Sequence, residues 1–276
     1  MNARQVHAVL AAGVEDPTLI SKWRGDPARL VRLGIDPACL DLDALWKFSG
    51  LTIKIRHNAV RQQLPHTFRL MAAAGLELSV FADYAAFRKV SGQPYAAATT
   101  QRTHELVQFI MSWIDPAVPT HLLLGDMARH EQALVFLNTP PGNDGSDDAS
   151  ESARVAAFTA LTVPQICGRI ALHEMHCDPL LLACALRQRV PPLADIALQT
   201  RYYCYWRGSH APEAAVLELD EFGYYLLSLV DGQRSVADLS QGLGGRRRPT
   251  RSFTQSLGQL AQVGLLGFGG RRVDAA

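Results

Sequence analysis

Histidine, cysteine and carboxylate side chains crowd two stretches of this 276-residue chain. His173, Glu174, His176 and Cys177 offer donors for a metal ion, and Asp126, His130 and Glu131 offer a second set at helical pitch. Neither set meets the demands of that chemistry. A zinc hydrolase of the His-Glu-x-x-His kind needs two imidazoles on one helix face, and that spacing is absent. On a strand, His173 and His176 point to opposite sides. Asp126, His130 and Glu131 fit the polar surface of an amphipathic helix. There is no three-cysteine cluster of the radical type, no nucleophile elbow, no P-loop and no glycine-rich dinucleotide turn. The expectation is a chain that holds no metal or cofactor and is no enzyme on its own.

A third constellation is polar in a different way. Within residues 53–69 (IKIRHNAVRQQLPHTFR), Arg56, His57, Asn58, Arg61 and Gln62 include neighbours four apart, which share one face of a helix. A solvated surface is the simpler reading of that face. The functional reading, kept as a candidate, is a partner interface formed by Arg56, His57, Asn58 and Arg61, or a seat for a substrate carboxylate.

The elements that must carry these residues follow from composition and period. A hydrophobic fraction of 48% and a charged fraction of 19% belong to a globular chain long enough for two domains. No apolar run approaches the roughly 18 residues of a membrane-spanning helix. The start, MNARQVHAVLAAG, lacks a basic segment before a long apolar one, so no secretory signal is expected. Five cysteines without paired spacing suit reduced thiols in a cytoplasm. Residues 140–152, rich in Pro, Gly, Ser and Asp, read as a linker between an all-α domain over 1–139 and a second domain over 153–276.

In the first domain, Asp16, Asp26 and Asp36 each precede a proline, the pattern of an N-cap and first helical residue, and Asp41 is a further helix start. In the second, 169–175, 200–206 and 214–220 alternate as strands do. Three helices follow, over 221–229, 236–243 and 250–263. The fold class expected is α+β and helix-rich, with an all-α domain followed by a winged-helix-like domain of a three-stranded antiparallel sheet plus three helices. Alternation along the third strand separates Ala215, Leu217 and Leu219 from Val216 and Glu218.

Residues 214–268 carry a resemblance. LELDEFGYYLLSLVDGQRSVADLSQGL and SLGQLAQVGLL resemble the PqqD-like peptide-recognition element, whose last helix ends in a Leu-Leu-Gly-Leu-Leu pattern met here at Leu257, Leu260, Gly264, Leu265 and Leu266. Upstream, GDMARHEQALVF is similar to the Asp-x-Ala-Arg-x-Glu-x-Ala helix of the partner subunits of multinuclear non-haem iron peptide oxidases. HCDPLLLACALR and the aromatic strand after it are similar to the same family, and the arrangement is most like its 3-thiaglutamate members.

What this resemblance implies is a recognition subunit. It would bind the leader of a ribosomally made precursor peptide and present a core ending in Cys to an iron-bearing TIM-barrel partner. The leader would add to the edge of the third strand by β-augmentation. Val216, Leu217 and Glu218 would meet it from the strand, with Val216 and Glu218 facing the groove beside the last helix, and Thr254 and Gln255 would line that groove from the helix. Arg248 and Arg251, in a run with Arg246 and Arg247, would pair with acidic side chains of the leader. The alternative is a winged-helix DNA-binding regulator, with the same arginines on phosphates. Against it, the last helix carries Ser, Thr, Gln and Gly with few basic side chains, and the net charge is only +1.

Overall fold

In the computed structural model, residues 2–92, 94–139, 159–208, 211–243 and 251–269 are described. The chain is helix-rich α+β: an N-terminal run of helices precedes a small antiparallel sheet, α10 (Pro179–Ala185) falls in the sequence between the first two strands of that sheet, and three further helices follow. It divides into two compact units. One comprises Met1–Gln132 with Pro179–Ile196, and the other Ala133–Asp178 with Ala197–Ala276. Residues 179–196, assigned by sequence to the second domain, therefore group with the helices. The expected linker, 140–152, lies outside the described residues.

The helical unit starts as the aspartates predict, with two exceptions. α1 (Ala3–Glu15) hands over to α2 (Pro17–Gly25) at Asp16, whose side chain accepts from the Thr18 N–H at 2.9 Å. Asp41 caps α4 (Leu42–Arg56) through the Ala44 N–H. Asp26 instead contacts Arg29 and Arg32 beside the short α3 (Ala28–Arg32), and Asp36 caps only a single 3-10 turn. Val9, Ile20, Trp23, Leu30, Ile35 and Leu45 bury together beneath these elements.

α5 (Asn58–Gln63), α6 (Pro65–Ala73), α7 (Glu77–Ser91) and α8 (Thr99–Trp113) follow. The start of α6 has no cap from its own flank. Its acceptor comes from α9 (Pro119–Asn138), 64 to 65 residues away. Glu131 takes the His66 N–H and the Thr67 N–H, each at 2.8 Å, and the Thr67 hydroxyl at 2.7 Å. His66 Nδ1 lies 3.0 Å from the same carboxylate. A carboxylate at a helix start meets both the orphan donors and the positive end of the dipole.

In the other unit, β2 (Arg169–Met175), β3 (Arg201–Arg207) and β4 (Ala215–Leu219) form an antiparallel sheet in that order, with Tyr203 opposite Glu218 and Cys204 opposite Leu217. The three expected strands fall within a residue of their sequence bounds. On one face lie α11 (Glu221–Leu229), α12 (Val236–Gly242) and α13 (Arg251–Gln262), burying Leu226, Leu227, Val236, Leu239, Phe253, Leu257 and Leu260. Ser235 and Asp238 form a reciprocal capping box on α12.

The opposite face is covered too. Ala133 and Leu137 of α9 bury with Met175, Tyr203 and Tyr205. The end of α9 is fastened by Arg169, which donates to the carbonyls of Thr139 and Phe136, and by Arg207, which donates to that of Leu137. Cations at a helix C-terminus satisfy its carbonyls and oppose its dipole.

A second, two-stranded sheet was not foreseen. β1 (Val163–Ile166) pairs with β5 (Leu266–Gly269), and the Leu265–Leu266 pair is where the chain passes from α13 into it. Gly168, at φ +92°, makes the turn into β2; a Cβ there would collide with the Arg207 carbonyl oxygen.

Replacing Glu131 with Ala strands two main-chain N–H donors, one buried and one half-buried. It should lower the unfolding free energy by roughly 2–4 kcal/mol, read by urea denaturation of the full chain. Glu131→Gln, which keeps one acceptor oxygen, should cost less.

Candidate functional site

The residues singled out for chemistry are placed differently from expectation. Asp126, His130 and Glu131, read as surface, are all buried. Asp126 pairs with Arg129 at 2.6 Å, and Glu131 caps α6. The reason is that α9 is covered on several sides, so its polar residues face neighbours rather than water. His173 packs edge-on against Tyr205, and Cys177 is buried. Among the described residues no group of three or more His, Cys, Asp or Glu is disposed to hold a metal ion. No single helix among them is long and apolar enough to cross a membrane.

The face proposed for a partner does not form as one helix. α4 ends at Arg56, His57 is the cap between helices, and α5 begins at Asn58. Arg56 and Asn58 are exposed, and Arg61 lies over the Phe68 ring at 5.8 Å. His57 is a correction: it is 7% exposed and stacked on Phe81 at 4.6 Å, with Tyr84 and Tyr95 alongside. Burial, with Arg56 and Arg102 adding repulsion, pushes its pKa down from 6.5 to about 4. It is a neutral core imidazole.

The sheet unit does carry a site. Among the described residues β4 pairs on one side only, with β3, so its other edge is open. Beside that edge runs a groove of about 280 Å³ between β4 and α13. Leu217, Glu218 and Leu219 line it from the strand, Asp220 and Gly223 from the start of α11, and Ser256, Gln259 and Leu260 from α13, with Val263 just past its end. The helix residues recur at three and four, the period of a single face. Asp220 accepts from the Gly223 N–H at 2.6 Å and so fixes the bend at the head of the groove.

Of the peptide-contacting residues expected from sequence, Leu217 and Glu218 reach this groove. Glu218 also holds Arg201 at 2.7 Å. Val216 does not, because it packs on the opposite face with Tyr203, Tyr205 and Leu137. Leu217 and Leu219 wall the groove, and of the pair Val216 and Glu218 only Glu218 contributes to its lining. Thr254 and Gln255 are absent from its lining, which draws on later turns of α13; the Thr254 hydroxyl donates to the Arg251 carbonyl. Arg251 is exposed at the start of that helix, outside the groove. Arg248 lies outside the described residues. Ser256, Gln259 and Val263 were missed, though positions 256, 259, 260 and 263 show the three-and-four spacing of one helical face in the sequence.

No protein-family model matches this chain, and no curated protein matches it.

The buried imidazole sets a pH dependence with a definite sign. Below pH 6.5 the unfolded chain takes up a proton that folded His57 refuses until about pH 4. Stability should therefore fall across that interval as acid is added, by about 3 kcal/mol from this residue. In His57→Phe, denaturation midpoints measured between pH 7 and pH 4 should lose that component.

Proposed function

We propose that the sheet unit is a peptide-recognition module, and that the chain serves as a non-catalytic subunit in peptide maturation. The observation that carries this is the open edge of β4 beside a groove with leucine walls. An extended leader would add as a fourth strand, taking affinity from main-chain hydrogen bonds along β4. Alternate side chains of the leader would drop toward Leu217, Leu219, Leu260 and Val263. These make apolar seats, with Ser256 and Gln259 as polar contacts at the rim.

The similarity of residues 214–268 to PqqD-like elements, and of 125–136 to iron-oxidase partner subunits, supports the same reading. A separate TIM-barrel enzyme would supply the iron and perform the oxidation on the peptide's C-terminal core. This chain would hold the leader, raising the effective concentration of the core at that metal centre to about millimolar.

The test is coexpression of the full chain with its genomic neighbours, followed by iron analysis of what copurifies and anisotropy titration with the neighbouring precursor peptide. The peptide should bind at micromolar strength or better. Val263→Glu, which sets a charge on an exposed wall of the groove, should weaken it at least about tenfold. Gln255→Ala, outside the groove, should leave it unchanged. Peptide binding indifferent to Val263→Glu would defeat the proposal. So would tight duplex-DNA binding with a steep salt dependence in place of peptide binding.

A further inference from the structure

The helical unit contains a cleft that peptide recognition on β4 does not use. It encloses about 640 Å³ between the end of α1, the start of α2, the end of α4 and the middle of α7. That volume is within the roughly 300–1,000 Å³ typical of small-molecule sites. Its lining is sorted by chemistry. Ala12, Ala82, Ala85 and Ala86 are small and leave the space open, while Leu19 and Tyr95 add apolar wall. Glu15 and Asp16 bring negative charge from the α1–α2 junction, and Arg56 and Lys89 bring positive charge from α4 and α7.

Three of these four charges are uncommitted. Glu15, Arg56 and Lys89 make no ion pair or side-chain hydrogen bond among the described residues, and Asp16 uses one carboxylate oxygen on the Thr18 N–H and hydroxyl. Arg88 builds the wall behind them. Its guanidinium is 6% exposed, pairs with Glu105 at 2.7 Å and donates to the Pro94 carbonyl. It lies 4.6 Å from the Tyr95 ring centroid, holding that ring against the cleft. Among the described residues its Nε has no hydrogen-bond partner, the kind of buried orphan that natural structures rarely leave without a reason.

From this arrangement we infer that the cleft binds a small zwitterion with an apolar or aromatic body, of the size and chemistry of a free α-amino acid. The carboxylate pairs with Arg56 and Lys89, the ammonium with Glu15 and the free oxygen of Asp16, and the body lies over the alanines against Tyr95. A simple carboxylate or a simple amine answers only half of the lining. This inference stands apart from the peptide site, since all its residues belong to the helical unit and none lies on β4 or α13.

The test uses the full chain and three probes that differ only in charge: L-phenylalanine, 3-phenylpropanoate and phenethylamine, titrated by NMR with saturation transfer. L-Phenylalanine should bind at millimolar strength or tighter, and each half-charged analogue at least about fivefold more weakly. Arg56→Gln with Lys89→Gln should abolish the preference for the zwitterion over the amine. Ala85→Leu, which fills the cleft from an ordinary helical position, should remove binding altogether while circular dichroism stays native. No binding of L-phenylalanine overturns the inference, as does equal binding of 3-phenylpropanoate or binding that survives Ala85→Leu. All these readouts are independent of the precursor peptide.

Discussion

A helix whose own flank offers no acceptor must find one elsewhere, and the way α6 solves this organises the helical unit. Glu131 reaches it from α9 and satisfies two main-chain donors and a hydroxyl with a single carboxylate. Such a contact fixes both the position and the rotation of α6, because two adjacent N–H groups must point at the same two oxygens. Once α6 is set, Phe68 meets Phe81, Phe81 stacks on His57, and Tyr84 and Tyr95 close the cluster. The wall of the cleft beside α7 is thus an indirect product of one charge-assisted cap.

That same cap shows where sequence reading stops. Asp126, His130 and Glu131 at helical pitch look like a solvated face, because polarity is normally the mark of exposure. Only the packing of α6 against the helix reveals that the carboxylate is consumed by donors 64 and 65 residues upstream. His57 misleads in the converse way. Arginines and asparagine surround it in the chain, yet a break between α4 and α5 turns the imidazole inward. Local rules carried further where the partner was close in sequence. Asp16, Asp41 and Ser235 cap the helices that follow them, and the strands of the main sheet appear at their expected positions.

The sheet unit was legible in outline and ambiguous in orientation. Alternation along β4 separates two sets of side chains but cannot say which set meets which neighbour. Here both faces are covered, one by α11 to α13 and the other by the end of α9. The covering of the second face by Ala133 and Leu137 is what sends Val216 away from the groove. The four-residue strands β1 and β5 escaped notice for a simpler reason: each is too short to show a period, and their pairing spans most of the unit's sequence.

Residues 179–196 belong with helices that precede them by more than forty positions, and Arg69 donates to the carbonyls of Arg187 and Gln188 within that set. The chain therefore crosses between units at 132, 178 and 196 rather than once. During synthesis the helical unit lacks its final piece until residue 196 has left the ribosome, by which time β2 is already made and waiting for β3. Neither unit can be excised by a single cut, so the two are inherited, translated and lost together.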